Sequence, residues 1–148
     1  MNKKNKPVEL ELDYYGLYLL NYLKESHPDK AGDHAFIEER AARAAAVYEQ
    51  RFREGCPAAG AQELAMRSLL EGLHFSKYDT LRHVLENEFE GKIPDEEISP
   101  LALKLLPLLE SVFSIYELTD DFAQSPGYDL LHTELTGAVA LYLEAYGI

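Results

Sequence analysis

GLHFSKYDT, residues 72–80, decides how this chain is read. Its nine residues hold His74, Ser76, Tyr78, Asp79 and Thr80, which is most of what a hydrolase needs, and they also hold what a joint between two helices needs. A nucleophilic serine requires a base, an orienting group and an oxyanion site that converge in space, and closeness in sequence does not supply that. There is no G-x-S-x-G elbow here and no strand to carry one. The joint explains more of the residues. Gly72 stops one helix, Leu73 and Phe75 anchor the turn, and Ser76 is an N-cap whose oxygen can accept from the amide of Tyr78 or Asp79. Asp79 then lies in a first helical turn, where its charge suits the helix dipole and its carboxylate can reach back to the cap as in a capping box. His74 has no part in this account.

Working outward, the same punctuation recurs. Residues 14–25 (YYGLYLLNYLKE) are apolar almost all round and end at Ser26-His27-Pro28, which predicts a central or interfacial helix. Asp33 caps a second helix, about 34–54, that Gly55 ends, with Phe36, Ile37, Ala41, Ala44, Tyr48 and Phe52 on one stripe and Glu39–Arg43 and Glu49–Arg53 at i,i+4 on the other face. Pro57 opens a third, about 58–71, with Leu64, Ala65, Ser68 and Leu69 inward. The fourth runs about 77–90 and ends at Gly91, its core stripe being Tyr78, Leu81, Leu85 and Phe89. IPDEE (93–97) reads as an acidic connector, Ser99-Pro100 as the start of a fifth helix, about 100–116, and Pro107 as a kink or division within it. LTDDFAQ (118–124) offers Thr119 as the cap of a short turn, with Asp120 and Asp121 after it. Ser125-Pro126 starts the last helix, about 126–146, with Leu131, Leu135, Ala138, Val139, Tyr142 and Tyr146 inward. VELEL (8–12) is the one stretch that alternates like a strand. The expectation is an all-α, single-domain bundle of about six helices spanning residues 1–148, with residues 1–8 a flexible basic tail.

Composition narrows the classes of function. The lone Cys56 cannot pair within the chain, which predicts a reducing, cytoplasmic setting. No apolar run reaches membrane-spanning length, and no apolar segment follows the basic N-terminus as a signal peptide requires. The formal net charge is −12. Residues 1–53 carry nine Lys/Arg and nine Asp/Glu, so the whole excess lies beyond them, and Lys104 is the last cation. Direct binding to nucleic acid or to an anionic membrane surface is therefore not expected, since both draw on cations. An acidic face keeps a protein soluble and suits a basic protein partner.

The candidates for chemistry are few. Asp79, His83 and Glu86 share a helix face that could hold a divalent ion, but such a stripe is more often a solvated face. Glu71-x-x-His74 has half of a di-iron pattern, and Gly72 breaks the helix it would need. Asp120-Asp121 lacks EF-hand spacing. No catalytic residue, cofactor or metal ligand is assigned. His74, Asp79, His83, Asp120, Asp121 and Tyr128 remain as candidate interaction residues.

GLHFSKYDT, LALKLLP (101–107), ESVF (110–113) and LTDDFAQSPGYDLLHTELTG (118–137) together resemble a bacterial domain-of-unknown-function family of small all-helical proteins from anaerobic gut and oral bacteria. The basic start, the aromatic–leucine helix and KESHP are similar too. The resemblance implies a helical fold and an association with mobile elements; it carries no activity or site residue. Three functions are thus expected in order: a non-enzymatic cytosolic interaction or accessory module whose partner is a basic protein or a second copy of itself; an acidic DNA mimic that blocks a DNA-binding or restriction enzyme; and a small hydrolase or metal enzyme using His74, Asp79 or His83.

Overall fold

The computed structural model describes residues 13–146. The proposed basic tail and VELEL lie outside that range. Among the described residues there are seven α-helices and two 3-10 turns, and no strand. The helices are α1 (Tyr14–Ser26), α2 (His34–Arg53), α3 (Ala58–Leu69), α4 (Lys77–Glu88), α5 (Asp95–Leu108), α6 (Glu110–Phe113) and α7 (Gly127–Tyr146). They fall into two compact units. One takes in the chain to Glu25 and Lys30–Glu71; the other takes in Ser26–Asp29 and everything from Gly72.

In the first unit α2 and α3 form an antiparallel hairpin. Asp33 caps α2 as its sequence predicts, accepting from the Phe36 amide at 3.1 Å. Ile37, Ala41 and Ala44 of α2 face Ala61, Ala65 and Leu69 of α3, and all six are buried. Small residues on both stripes let the helices approach closely. The hairpin is closed at its far end by Arg40, whose guanidinium donates to the carbonyls of Leu69 at 3.0 Å and Glu71 at 2.8 Å. A cation there satisfies two orphan carbonyls and opposes the negative end of the α3 dipole. The α2 stripe runs out before its predicted end: Phe52 is exposed and stacks on Tyr48, rings 6.0 Å apart. In α1 only Gly16, Leu19 and Leu23 are buried, while Tyr14, Leu17 and Tyr18 are exposed. The all-round apolar pattern therefore leaves one face of α1 uncovered, and the Tyr15 hydroxyl reaches Gln62 of α3 at 2.7 Å.

The second unit holds a continuous core. Leu81, Val84 and Leu85 of α4, Ala102 and Leu105 of α5, Phe113 of α6 and Leu131, Leu135 and Val139 of α7 are fully buried in it. Two boundaries differ from expectation. The fifth helix starts at Asp95, with Pro94 in the cap position, and Pro100 lies inside it. Three acids, Asp95, Glu96 and Glu97, fill the first turn, where the dipole favours them, and this outweighs the Ser99-Pro100 signal. The helix then ends at Leu108, one residue past Pro107, and α6 continues as a separate turn. At the last helix, Ser125 donates to the Phe122 carbonyl at 2.7 Å and so does not cap with its side chain. Gly127 opens α7 because a side chain there would press on the Phe122 ring, 3.2 Å from where a Cβ would stand. Tyr146, expected inward, is exposed.

Candidate functional site

The stretch 72–80 is a joint, and most of its polar groups have a structural task, the exposed His74 ring excepted. Gly72 takes φ +80°, a conformation only glycine adopts without strain, and so turns the chain after α3. Leu73 and Phe75 are buried. Ser76 caps α4, accepting from the Asp79 amide at 2.9 Å, and its hydroxyl donates to the Ser26 carbonyl. Thr80 is buried and donates back to the Ser76 carbonyl at 2.8 Å. This answers the serine chemistry directly. A nucleophilic serine must give its proton to a base, and Ser76 gives it to a peptide carbonyl, which cannot take it.

Two residues far away in sequence complete the joint. The Asp120 carboxylate accepts from the Gly72 amide at 2.8 Å and from the His74 amide at 3.0 Å. One acidic side chain thus closes two backbone donors of a turn. Asp120 was expected as a first-turn residue after a Thr119 cap; instead Thr119 donates its hydroxyl to Asp121 at 2.7 Å, and Asp120 points at the 72–74 turn. His27, only 7% exposed, donates its Nε2 proton to the Leu73 carbonyl at 2.8 Å. Neither partner is visible in local pattern. Behind the turn Phe75, Tyr116, Phe122 and Tyr128 form an aromatic cluster, with Phe75 and Phe122 edge to face at 5.2 Å and Tyr128 6.3 Å from Phe75.

The six candidate residues are not brought to one place. Asp120 and the His74 backbone meet, but the His74 side chain is exposed. His83 is also exposed. Asp79 is bound by Arg82 at 3.3 Å, and Glu86 is bound by the same guanidinium at 3.3 Å, so the supposed metal stripe is an ion-paired surface. Among the described residues no three His, Cys, Asp or Glu side chains are grouped to hold a metal ion. Asp121 is exposed, and Tyr128 belongs to the aromatic cluster. The surface depressions along α2 (about 530 Å³, bordered by Glu49, Gln50 and Arg53) and along α1 (about 260 Å³, bordered by Tyr18, Asn21 and Tyr22) involve none of the six.

What sequence reading passed over is the outer face of α7. Leu130 and Leu141 are 63% and 68% exposed, and Gly137 between them is open, with no described residue within 4 Å of where a Cβ would stand. The three recur at steps of seven and four residues, which is one helix face, opposite the buried Leu131, Leu135 and Val139. Glu134 and Glu144 flank them, and neither is ion-paired among the described residues. Glu134 instead accepts the Tyr116 hydroxyl at 2.9 Å, and burial together with that bond holds the Tyr116 phenol above its ordinary pKa. The signal was present: leucines at 130 and 141 fall outside the period of the inward stripe.

Among the described residues no helix is long and apolar enough to cross a membrane. No curated protein matches the chain. The crystal structure of protein PG0816 from Porphyromonas gingivalis is similar over 90% of this chain and 91% of its own, at 41% identity and a TM-score of 0.87. Residues 8–148 match the family described as Domain of unknown function (DUF1896), and the chain belongs to that family.

Proposed function

We propose that the chain works by binding another protein, as a non-enzymatic accessory module in the cytosol. The observation that carries this is the outer face of α7. A long helix in a well-packed unit gains nothing from two exposed leucines, and a mid-helix glycine costs about 0.5–1 kcal/mol relative to alanine. Among the described residues nothing close to Gly137 requires its small size. Such a face is explained by a surface that meets it from outside. The exposed Tyr14, Leu17 and Tyr18 of α1 add a second apolar surface. The link to mobile elements rests on the resemblance alone.

The carboxylate layout speaks against a DNA mimic. Asp129, Glu134 and Glu144 lie about 7 and 15 Å apart along α7 at the rise of a helix, whereas B-DNA carries one charge per about 1.7 Å of axis. Glu110 is bound to Lys77 at 3.0 Å, and Asp120 to two amides. For a hydrolase, the ion-paired Asp79 and the outward His74 and His83 supply no converging base and nucleophile.

The test is in-cell cross-linking of the tagged chain in a bacterium that encodes it, followed by mass spectrometry. Wild type is expected to enrich the same protein in every replicate over a tag-only control. A chain that enriches no protein, itself included, overturns the reading.

A further inference from the structure

Resting on that reading, we infer that the outer face of α7 docks a basic amphipathic helix of a partner protein. Charge selects this occupant. The second unit carries fifteen Asp/Glu against four Lys/Arg, and beyond Lys104 there is no cation at all. In the first unit Arg43, Arg51, Arg53 and Arg67 pair with Glu39, Glu54, Glu49 and Glu63 of the same unit, so its acids are largely answered from within. Glu134 and Glu144 beside the exposed leucines are not so answered. A partner with leucines along one stripe and Lys or Arg on either side meets both features, burying Leu130 and Leu141 while its cations reach the two glutamates.

A second copy is the poorer fit. Leu130 to Leu141 spans about 16 Å of helix, and a single helix face of that length buries well under the roughly 1,200 Å² of a stable interface. Pairing α7 with itself would also set Glu134 and Glu144 of two copies together with no cation to separate them. The same small area makes for a contact in which charge contributes much of the encounter rate and salt weakens it. Gly137 sits where the partner backbone comes nearest, since it is the one position between the leucines without a side chain.

The experiment uses the full-length chain and synthetic peptides about five helical turns long. One peptide places leucine along a helical stripe with lysine elsewhere; a second replaces every lysine by glutamate; a third keeps the lysines and replaces every leucine by serine. Binding is read by fluorescence anisotropy, and the location by NMR shifts of α7 amides. The leucine–lysine peptide is expected to bind, to shift residues 130–141, and to lose at least tenfold in affinity with Leu130→Ser/Leu141→Ser, the loss that two buried leucines imply. Leu103→Ser/Leu108→Ser, which removes exposed leucines from α5, should leave binding unchanged. Gly137→Leu should weaken binding while raising Tm by about 1–4 °C, the helix stability that a mid-helix glycine forgoes. The inference is overturned if the lysine–serine peptide binds equally well, if the glutamate peptide does, or if the α7 variant binds like wild type. It is also overturned if sedimentation shows a dimer that Leu130→Ser/Leu141→Ser dissolves, because the occupant is then a second copy. In that case the interaction reading survives; loss of both this binding and the cross-linked partner ends the reading itself.

Discussion

Replacing Asp120 tests the central structural claim. Its two carboxylate oxygens accept from the Gly72 and His74 amides at 2.8 and 3.0 Å, while among the described residues the adjacent Asp121 carboxylate meets the Thr119 hydroxyl. A hydrogen bond to a carboxylate contributes about 1.5–3 kcal/mol when sheltered and nearer 1 when water competes. Asp120 is half-buried and its two bonds are solvent-facing, so the lower figure applies to each. Asp120→Ala should therefore cost about 2 kcal/mol, or about 4–8 °C in Tm for a chain of this size. Asp120→Asn should cost about as much. Its single carbonyl oxygen can serve one amide, and its NH2 group then confronts the other N–H donor. Asp121→Ala, one residue along, should change stability by less than about 0.5 kcal/mol. Urea denaturation followed by circular dichroism gives the stabilities, and hydrogen exchange shows whether the Gly72 and His74 amides lose protection. If Asp120→Ala and Asp121→Ala are equally mild, or the two amides stay protected in the Asp120 variants, the carboxylate does not hold the turn and the reasoning fails.

Three further outcomes are expected. Arg40→Ala should lower stability by about 1–3 kcal/mol in urea titrations, because the Leu69 and Glu71 carbonyls lose a charged donor; a loss below half of that would show that water replaces the guanidinium at no cost. His27→Ala should cost about 2–3 kcal/mol by the same assay, combining a cavity with the loss of the bond to the Leu73 carbonyl, and His27→Gln should recover part of it. The Tyr116 phenol, raised in pKa by burial and by its bond to Glu134, is favoured in its neutral form by the folded state. Its contribution is full below the unfolded value of about 10 and is lost as pH rises through the folded one. The stability difference between wild type and Tyr116→Phe should shrink on going from pH 9 to 11, and a difference that is flat or grows would contradict the bond.

The helical class and most helix ends were legible because they are set locally. Asp33 and Ser76 cap through bonds to amides three residues on, and Gly55, Gly72 and Gly91 take positive φ where helices stop. Apolar spacing likewise marked Leu81, Leu85, Leu131 and Leu135 as core, since a helix carries residues three and four apart to one side. Local rules failed where two signals competed: Ser99-Pro100 is a strong start, but three acids after Pro94 form a stronger one a turn earlier. GLHFSKYDT shows the division most clearly. Its glycine stop and serine cap were readable from nine residues, because those bonds close within one turn of chain. The Asp120 carboxylate and the His27 ring were not, because they arrive from 46 to 48 residues away, and only packing decides which distant polar group reaches an open amide or carbonyl. The same holds for α7: the sequence placed leucines at 130 and 141, and the tertiary structure alone determined that the core fills from the opposite side and leaves them facing out.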